Sequence, residues 1–162
     1  MLVALLHKHI NAKPIKRNTL FHPLSREHHH ALLLCWKIRL GIKKNVEIGR
    51  IKRYLDWFYQ KYLLPHFKAE ELFLFPILGD ENKLIKKALS EHQSIKILFK
   101  ENTVSIKHFT QIEKELHSHI RFEERVLFNE IQRIATLKQL EAMYIGHSEE
   151  KFCENLSDPF WE

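Results

Sequence analysis

The chain has 162 residues, a formal net charge of +6, 4 glycines, 5 prolines and 2 cysteines. Its length predicts one domain with a full hydrophobic core, and glycine plus proline reach only about half of their usual share. The composition therefore excludes collagen, low-complexity disorder and a sandwich of many short strands, and it favours an all-α protein. Two cysteines are too few for a disulfide framework or a cysteine-rich zinc site, as expected in a reducing cytoplasm.

The charge pattern and the apolar runs give no sign of a nucleic-acid or membrane partner. Basic residues are scattered along predicted helical faces, and no apolar run approaches the roughly 18 residues that span a bilayer. The apolar run from Met1 to Leu6 meets His7 and Lys8 at once, so it is too short for a signal peptide. We expect a cytoplasmic protein that binds neither membranes nor nucleic acid. The 12 histidines are an excess that needs another explanation.

Apolar residues at helical spacing predict five helices in a domain over residues 21–157. A basic arm over residues 1–20, extended or forming a short separate helix, precedes this domain, and an aromatic tail over residues 158–162 follows it. Because the predicted connections are short, neighbouring helices should be antiparallel. The predicted helices cover residues 24–40, about 46–78, 80–100, 104–135 and 136–156.

Four residues mark where these helices should begin, end or bend. Gly41 is expected to end the first helix, and Pro65 predicts a kink in the second helix or two helices laid end to end. Asp80 and Thr136 are the expected N-caps of the third and fifth helices.

An internal repeat links the second and fourth predicted helices. From His66 the chain reads HFKAEELFLF, and from His119 it reads HIRFEERVLF. A shorter repeat pairs Glu27-His28 in the first helix with Glu91-His92 in the third. The two repeats predict two similar helical hairpins related by a pseudo-twofold axis.

The repeated residues bring metal-binding side chains onto shared helical faces. Residues four apart lie on one face, so His66 joins Glu70 and His119 joins Glu123. The simpler alternative, exposed His–Glu pairs, does not explain the apolar residues that flank both motifs. A buried carboxylate needs a counter-charge, and mixed imidazole and carboxylate ligands favour iron, with manganese or zinc as alternatives. We therefore expect two iron ions bridged by Glu70 and Glu123.

Periodicity alone does not decide which histidine of the first helix is the ligand. His28 shares a face with Leu24 and Leu32, whereas His29 shares one with Trp36. The matching order of residues in Glu91-His92 favours His28, so His29 and His30 are expected near the surface.

These motifs resemble the hemerythrin-like, or HHE cation-binding, family over about residues 20–135. The resemblance implies an antiparallel, up-and-down four-helix bundle, here with an extra C-terminal helix and a short N-terminal arm, and a non-heme di-iron centre. It implies that the centre binds or senses a small diatomic ligand, oxygen or nitric oxide. The ligand residues that the motifs carry over are His28, His66, Glu70, His92, His119 and Glu123.

One position departs from the oxygen-carrying branch of that family. Those carriers have a further histidine four residues after the third-helix ligand, where this chain has Lys96, and an aspartate where this chain has Glu123. The departure weakens the interpretation as an oxygen carrier. It leaves redox or iron-donating chemistry as the alternative, such as nitric oxide or peroxide reduction or iron–sulfur repair, and a metal-free basic helical module as a remote one.

Residues beside the predicted ligands have simpler expected roles. Glu71 and Glu124 are expected to be solvated, with Arg121 or Arg125 as partners, and Tyr62 to be a core residue rather than a gate. His147 is assigned by default to the surface or the core.

Overall fold

The structure, a computed structural model, describes residues 16–102, 104–147 and 151–162. All regular secondary structure within these ranges is helical, which confirms the predicted all-α class. None of the helices in the described ranges has the length and apolar character that crossing a membrane requires. The predicted arm falls largely on residues 1–15, which lie outside the described residues.

The first helix, α1, spans His22–Lys43 and follows a 3₁₀ turn at Thr19–Phe21. The prediction that Gly41 ends this helix is wrong, because Gly41 lies inside it. A Cβ added at Gly41 would lie 2.8 Å from Cε2 of Phe160. Glycine is therefore needed here for close packing and not for a helix stop.

The second helical stretch, α2, covers residues 48–77 in five segments of changing pitch. Its segments are Ile48–Phe58, a π turn at Tyr59–Leu63, Leu64–Ala69, a second π turn at Glu70–Leu74 and a 3₁₀ turn at Phe75–Ile77. The helical stretch continues through Pro65 without a break. In the π turn before Pro65, the Leu64 N–H donates a hydrogen bond to the Tyr59 carbonyl. A wider turn accommodates a residue that lacks an N–H.

The remaining helices are close to their predicted positions but differ at their ends. The third, α3, spans Lys83–Lys100, and its N-cap is Asn82 rather than the predicted Asp80, because the Asn82 side chain accepts the Leu84 N–H. The fourth, α4, covers residues 106–134 and contains a π turn at Glu123–Leu127. The fifth, α5, spans Leu137–Gly146 behind the expected Thr136 cap.

The fifth helix is shorter than predicted, ending at Gly146 instead of near residue 156. Gly146 packs against the ring of Phe73, where an added Cβ would lie 2.6 Å from Cδ1. Residues 151–162 are not helical beyond short turns, and they are fixed to the first two helices by the buried Phe160 and by Glu154. Glu154 accepts hydrogen bonds from Lys37 (2.5 Å) and Tyr54 (2.6 Å).

The hydrophobic core consists of two clusters with a polar layer between them. One cluster contains residues of all four long helices together with Phe160. The other cluster includes Leu24, Leu74 and Leu127 together with residues of α5. Along each of the four long helices, the predicted ligand residues fall between residues of the two clusters. The fold thus encloses a belt of histidine and glutamate in apolar surroundings.

Candidate metal centre

The structure brings all six predicted ligand residues together in the polar layer, and none is more than 5% exposed. They form two groups of four, and within each group one ligand atom per residue lies within 4.8 Å of the others. Glu70 and Glu123 belong to both groups. The first group adds His28 and His66, and the second adds His92 and His119. The core therefore contains two groups that could each hold a metal ion, and the two groups share both carboxylates.

The choice between the first-helix histidines has a clear structural outcome. His28 is 2% exposed and lies in the first group, whereas its neighbour His29 is exposed. The helix thus directs His28 inward, the residue that the Glu-His order favours.

The inward atoms of these six residues have no hydrogen-bond partner within the described part of the chain. They are the Nε2 atoms of the four histidines and both carboxylate oxygens of the two glutamates. The Nε2 of His28 lies 3.1 Å from a Glu123 oxygen, and that of His66 lies 3.3 Å from a Glu70 oxygen. Leaving one such buried atom unsatisfied costs about 1–3 kcal/mol. Imidazole nitrogen and carboxylate oxygen are ligands for iron, zinc and manganese, so this donor set fits a metal.

The electrostatics of the metal-free centre favour positive charge. Burial acts to raise the pKa of Glu123, as does the Glu70 charge, but His119 and His28 outweigh both and lower it to about 2. Burial likewise opposes ionisation of Glu70, yet His66 and His28 hold its pKa well below the ordinary value. Burial lowers the pKa of His66, but the Glu70 charge and the bond to Glu27 raise it to about 9. Two ionised carboxylates therefore draw protons onto neighbouring imidazoles, and a metal cation can take their place.

Each of the two glutamates that belong to both groups begins a π-helical turn. The turn at Glu70–Leu74 in α2 and the turn at Glu123–Leu127 in α4 start at equivalent positions of the internal repeat. Single π turns inside α-helices are frequent at functional sites, where they redirect side chains. The repeat is therefore present in the backbone geometry as well as in the residues.

Each of the four histidines uses its outer nitrogen, Nδ1, to bind a carboxylate. This bond fixes the ring so that Nε2 points to the centre, an arrangement that metal-binding histidines commonly have. The pairs are His28 with Glu124 (2.7 Å), His66 with Glu27 (2.7 Å), His92 with Glu71 (2.8 Å) and His119 with Glu91 (2.9 Å).

We call these four glutamates the supporting carboxylates. Their hydrogen bonds link each long helix to the next one in the chain, and the last helix back to the first. Each sits next to a predicted ligand on its own helix but supports a histidine on another helix. Glu27 of α1 supports α2, Glu71 of α2 supports α3, Glu91 of α3 supports α4, and Glu124 of α4 supports α1. The expectation that Glu71 and Glu124 are solvated is wrong. The acidic residue next to one predicted ligand on each of the four long helices is the sequence signal that could have revealed this role.

Lys96, at the position of the missing histidine, is part of this arrangement. Its Nζ donates to Oε1 of Glu71 at 2.7 Å, the same oxygen that His92 contacts. The Tyr62 hydroxyl exchanges hydrogen bonds with the backbone of Cys153, accepting from its N–H at 3.0 Å and donating to its carbonyl at 3.2 Å. Tyr62 thus holds the C-terminal segment and is not turned toward the centre.

A comparison with protein families agrees with this geometry. The Hemerythrin HHE cation binding domain matches residues 19–105, which is more than half of the chain. The chain belongs to the hemerythrin HHE cation-binding domain family. No curated protein and no solved structure matches this hemerythrin domain significantly. The family match ends before His119 and Glu123, yet the structure brings both residues to the centre. Membership in a cation-binding family and the two buried groups together indicate a metal cofactor.

Proposed function

We propose that this protein binds two iron ions in the polar layer and uses them to bind or sense a small diatomic ligand, oxygen or nitric oxide. The observation that carries the proposal is the set of unpartnered Nε2 and carboxylate atoms that converge in a buried layer. One ion would be held by His28 and His66 and the other by His92 and His119, with Glu70 and Glu123 bridging both. Manganese and zinc are the competing metals for such ligands.

In this proposal α1 to α4 form an antiparallel, up-and-down four-helix bundle, with α5 added at one end. The segments between these helices are short, at residues 44–47, 78–82 and 101–105, and short connections join antiparallel neighbours. We place the protein in the cytoplasm, where its two unpaired cysteines, Cys35 and Cys153, would stay reduced.

The protein's own residues prepare the centre for a small ligand. Two imidazoles and two carboxylate oxygens would give each ion four protein donors and would leave coordination positions open to a small ligand. Bound iron would supply exchangeable coordination positions and a ferrous–ferric couple. The supporting carboxylates orient the imidazoles, and the apolar clusters on both sides restrict water around the layer.

Titration with nitric oxide tests the proposal. Protein loaded with ferrous iron under anaerobic conditions should show a saturable change in visible absorbance. The variant H28A should lose most of this change because it loses a ligand. The matched control H29A removes the adjacent, exposed histidine of the same helix and should behave as the unmodified protein. A response in H28A equal to that of the unmodified protein, or no response in the unmodified protein, would contradict the proposal.

The same experiment separates the redox alternative. A binding or sensing protein should take up a fixed amount of nitric oxide per chain. Catalytic consumption of nitric oxide or peroxide over many turnovers would instead favour the redox or repair role. A chain that takes up no metal would favour the metal-free helical module.

A further inference from the structure

Each supporting carboxylate has a further contact with a basic side chain, and these basic residues come from different parts of the chain. The contacts join Glu124 to Arg17, Glu27 to His147, Glu71 to Lys96 and Glu91 to Lys87. The first two basic residues lie outside the four long helices. The last two lie on α3 itself.

Arg17 connects the segment before α1 to the first group. Its Nη2 donates to the backbone oxygen of Glu124 and lies 3.3 Å from the Glu124 carboxylate that supports His28. The guanidinium also lies over the ring of Phe128, 5.4 Å from its centroid, and that ring stacks on His28 at 5.2 Å. Arg17 therefore acts on His28 through both the carboxylate and the stacked ring.

His147 connects the segment after α5 to the supporting carboxylate Glu27. It follows α5 directly, is 8% exposed, and its Nε2 lies 3.2 Å from Oε1 of Glu27, whose other oxygen binds His66. The His147 N–H binds the carbonyl of Met143, which is buried in the second core cluster. The position of α5 thus determines where His147 meets Glu27.

In the second group, the basic partners of the supporting carboxylates come from within the four long helices. Lys87 pairs with Glu91 and Lys96 pairs with Glu71, so the carboxylates that support His119 and His92 are both held by side chains of α3. Lys87 stands four residues before Glu91, and Lys96 stands four residues after His92. These contacts need no segment beyond the four long helices.

We propose that the two metal positions are inequivalent. The position of His28 and His66 depends on Arg17, which precedes α1, and on His147, which follows α5, whereas the position of His92 and His119 is completed within the four long helices. Arg17 and His147 are positioning residues, which act through Glu124 and Glu27. This inference rests on the proposed function, because it takes both positions to hold a cation. Docking of Arg17 and of His147 onto the supporting carboxylates and filling of the first position would then favour each other.

Zinc titration of the full-length, metal-free protein tests the inference without redox chemistry. Competition with a chelator gives the two affinities, and anomalous diffraction from crystals prepared at one equivalent of zinc shows which position is filled. The variants R17M and H147F should each weaken the first position by roughly 10-fold, the lower end of the usual effect of an outer partner. They should leave the second position unchanged. R17K and H147Q, which keep a donor, should restore part of the loss.

Matched variants on α3 should give the opposite pattern. K87M and K96M should weaken the position of His92 and His119 and leave the other unchanged. Equal losses at both positions in R17M and H147F, or no loss at either, would overturn the inference. An unmodified protein that takes up no zinc or ferrous iron would instead contradict the proposed function, so the two failures are distinguishable. Circular dichroism confirms that each variant is folded.

Discussion

The carboxylate of Glu27 binds His66, a residue of another helix, and not its own neighbour His28; the distance from Oε2 to Nδ1 is 2.7 Å. All four histidines are bound in this way by a glutamate of another helix. Each long helix therefore carries predicted ligands of its own and a supporting carboxylate for another helix. The metal centre and the mutual placement of the helices therefore depend on the same side chains.

Replacing Glu27 with glutamine should weaken metal binding without unfolding the protein. The amide cannot supply the negative charge that orients and polarises the His66 ring, and loss of such an outer partner lowers metal affinity roughly 10- to 100-fold. Competition titration with a chelator measures the change. The control Glu130→Gln, whose carboxylate pairs with the exposed Arg133, should keep the unmodified affinity. Equal affinities in both variants would contradict the supporting role.

The sequence predicts the six inward residues well because their signal is local. His66 with Glu70, and His119 with Glu123, lie four residues apart in two copies of one motif, and helical spacing alone puts each pair on one face. The structure brings these residues together with His28 and His92.

What the sequence does not reveal depends on contacts between distant segments. Gly41 has the residue type of a helix stop but serves to admit Phe160, which lies 119 residues further along the chain. The position of Glu71 beside Glu70 marks it as a candidate support but does not identify the histidine that it binds, and His147 has no local pattern that distinguishes it from a surface or core residue. Their partners, His92 and Glu27, are defined only by how the helices pack.

The metal-free protein should lose stability as the pH rises from about 6.5 to 9. The pKa of His66 is raised to about 9 in the folded state, so its contribution is complete below 6.5 and disappears as the pH rises through 9. The pKa of Glu123 is lowered to about 2, so its contribution is present above 4.5 and disappears as the pH falls through 2. Melting temperatures measured by circular dichroism should therefore be highest between these two windows.

Metal-loaded protein is the control for that titration. A cation on Nε2 replaces the proton, and its binding strengthens as protons become scarce, so the alkaline loss should be absent. A metal-free protein whose melting temperature stays constant or rises between pH 6.5 and 9 would show that His66 is not held by the buried carboxylates.

Replacing Lys96 with histidine should slow oxidation of the ferrous protein in air. The unmodified chain has an ammonium bound to Glu71 at this position, so it provides no fifth imidazole and would leave one more coordination position of the bound metal open. We expect the unmodified protein to oxidise to the ferric state in preference to binding oxygen reversibly. Stopped-flow absorbance after mixing with air-saturated buffer measures the rate.

The variant K96M separates the new imidazole from the loss of the lysine. It removes the bond to Glu71 without adding a ligand, so it should not slow oxidation. If K96M slows oxidation as much as K96H, or if the unmodified protein binds and releases oxygen over many cycles, the account of the missing histidine is wrong.

Truncating Phe160 to alanine should destabilise the fold by about 3 kcal/mol, the lower end for loss of a buried aromatic ring. The ring is 3% exposed and packs on Gly41 and Tyr54, far along the helices from the ligands. Urea denaturation measures the free energy of unfolding. Leu156→Ala, in the same segment but 66% exposed, should change it by less than about 0.5 kcal/mol. Similar effects of both substitutions would show that the C-terminal segment is not part of the core.

We propose that Glu70 and Glu123 are ligands shared by two iron ions. Metal-free protein reconstituted anaerobically with ferrous iron, freed of excess metal and analysed for iron and protein, tests it most directly. The account predicts close to two iron ions per chain in the unmodified protein and in H29A, and a large loss in the double variant E70A/E123A. An iron content near zero in the unmodified protein, or two ions retained without both glutamates, would contradict it.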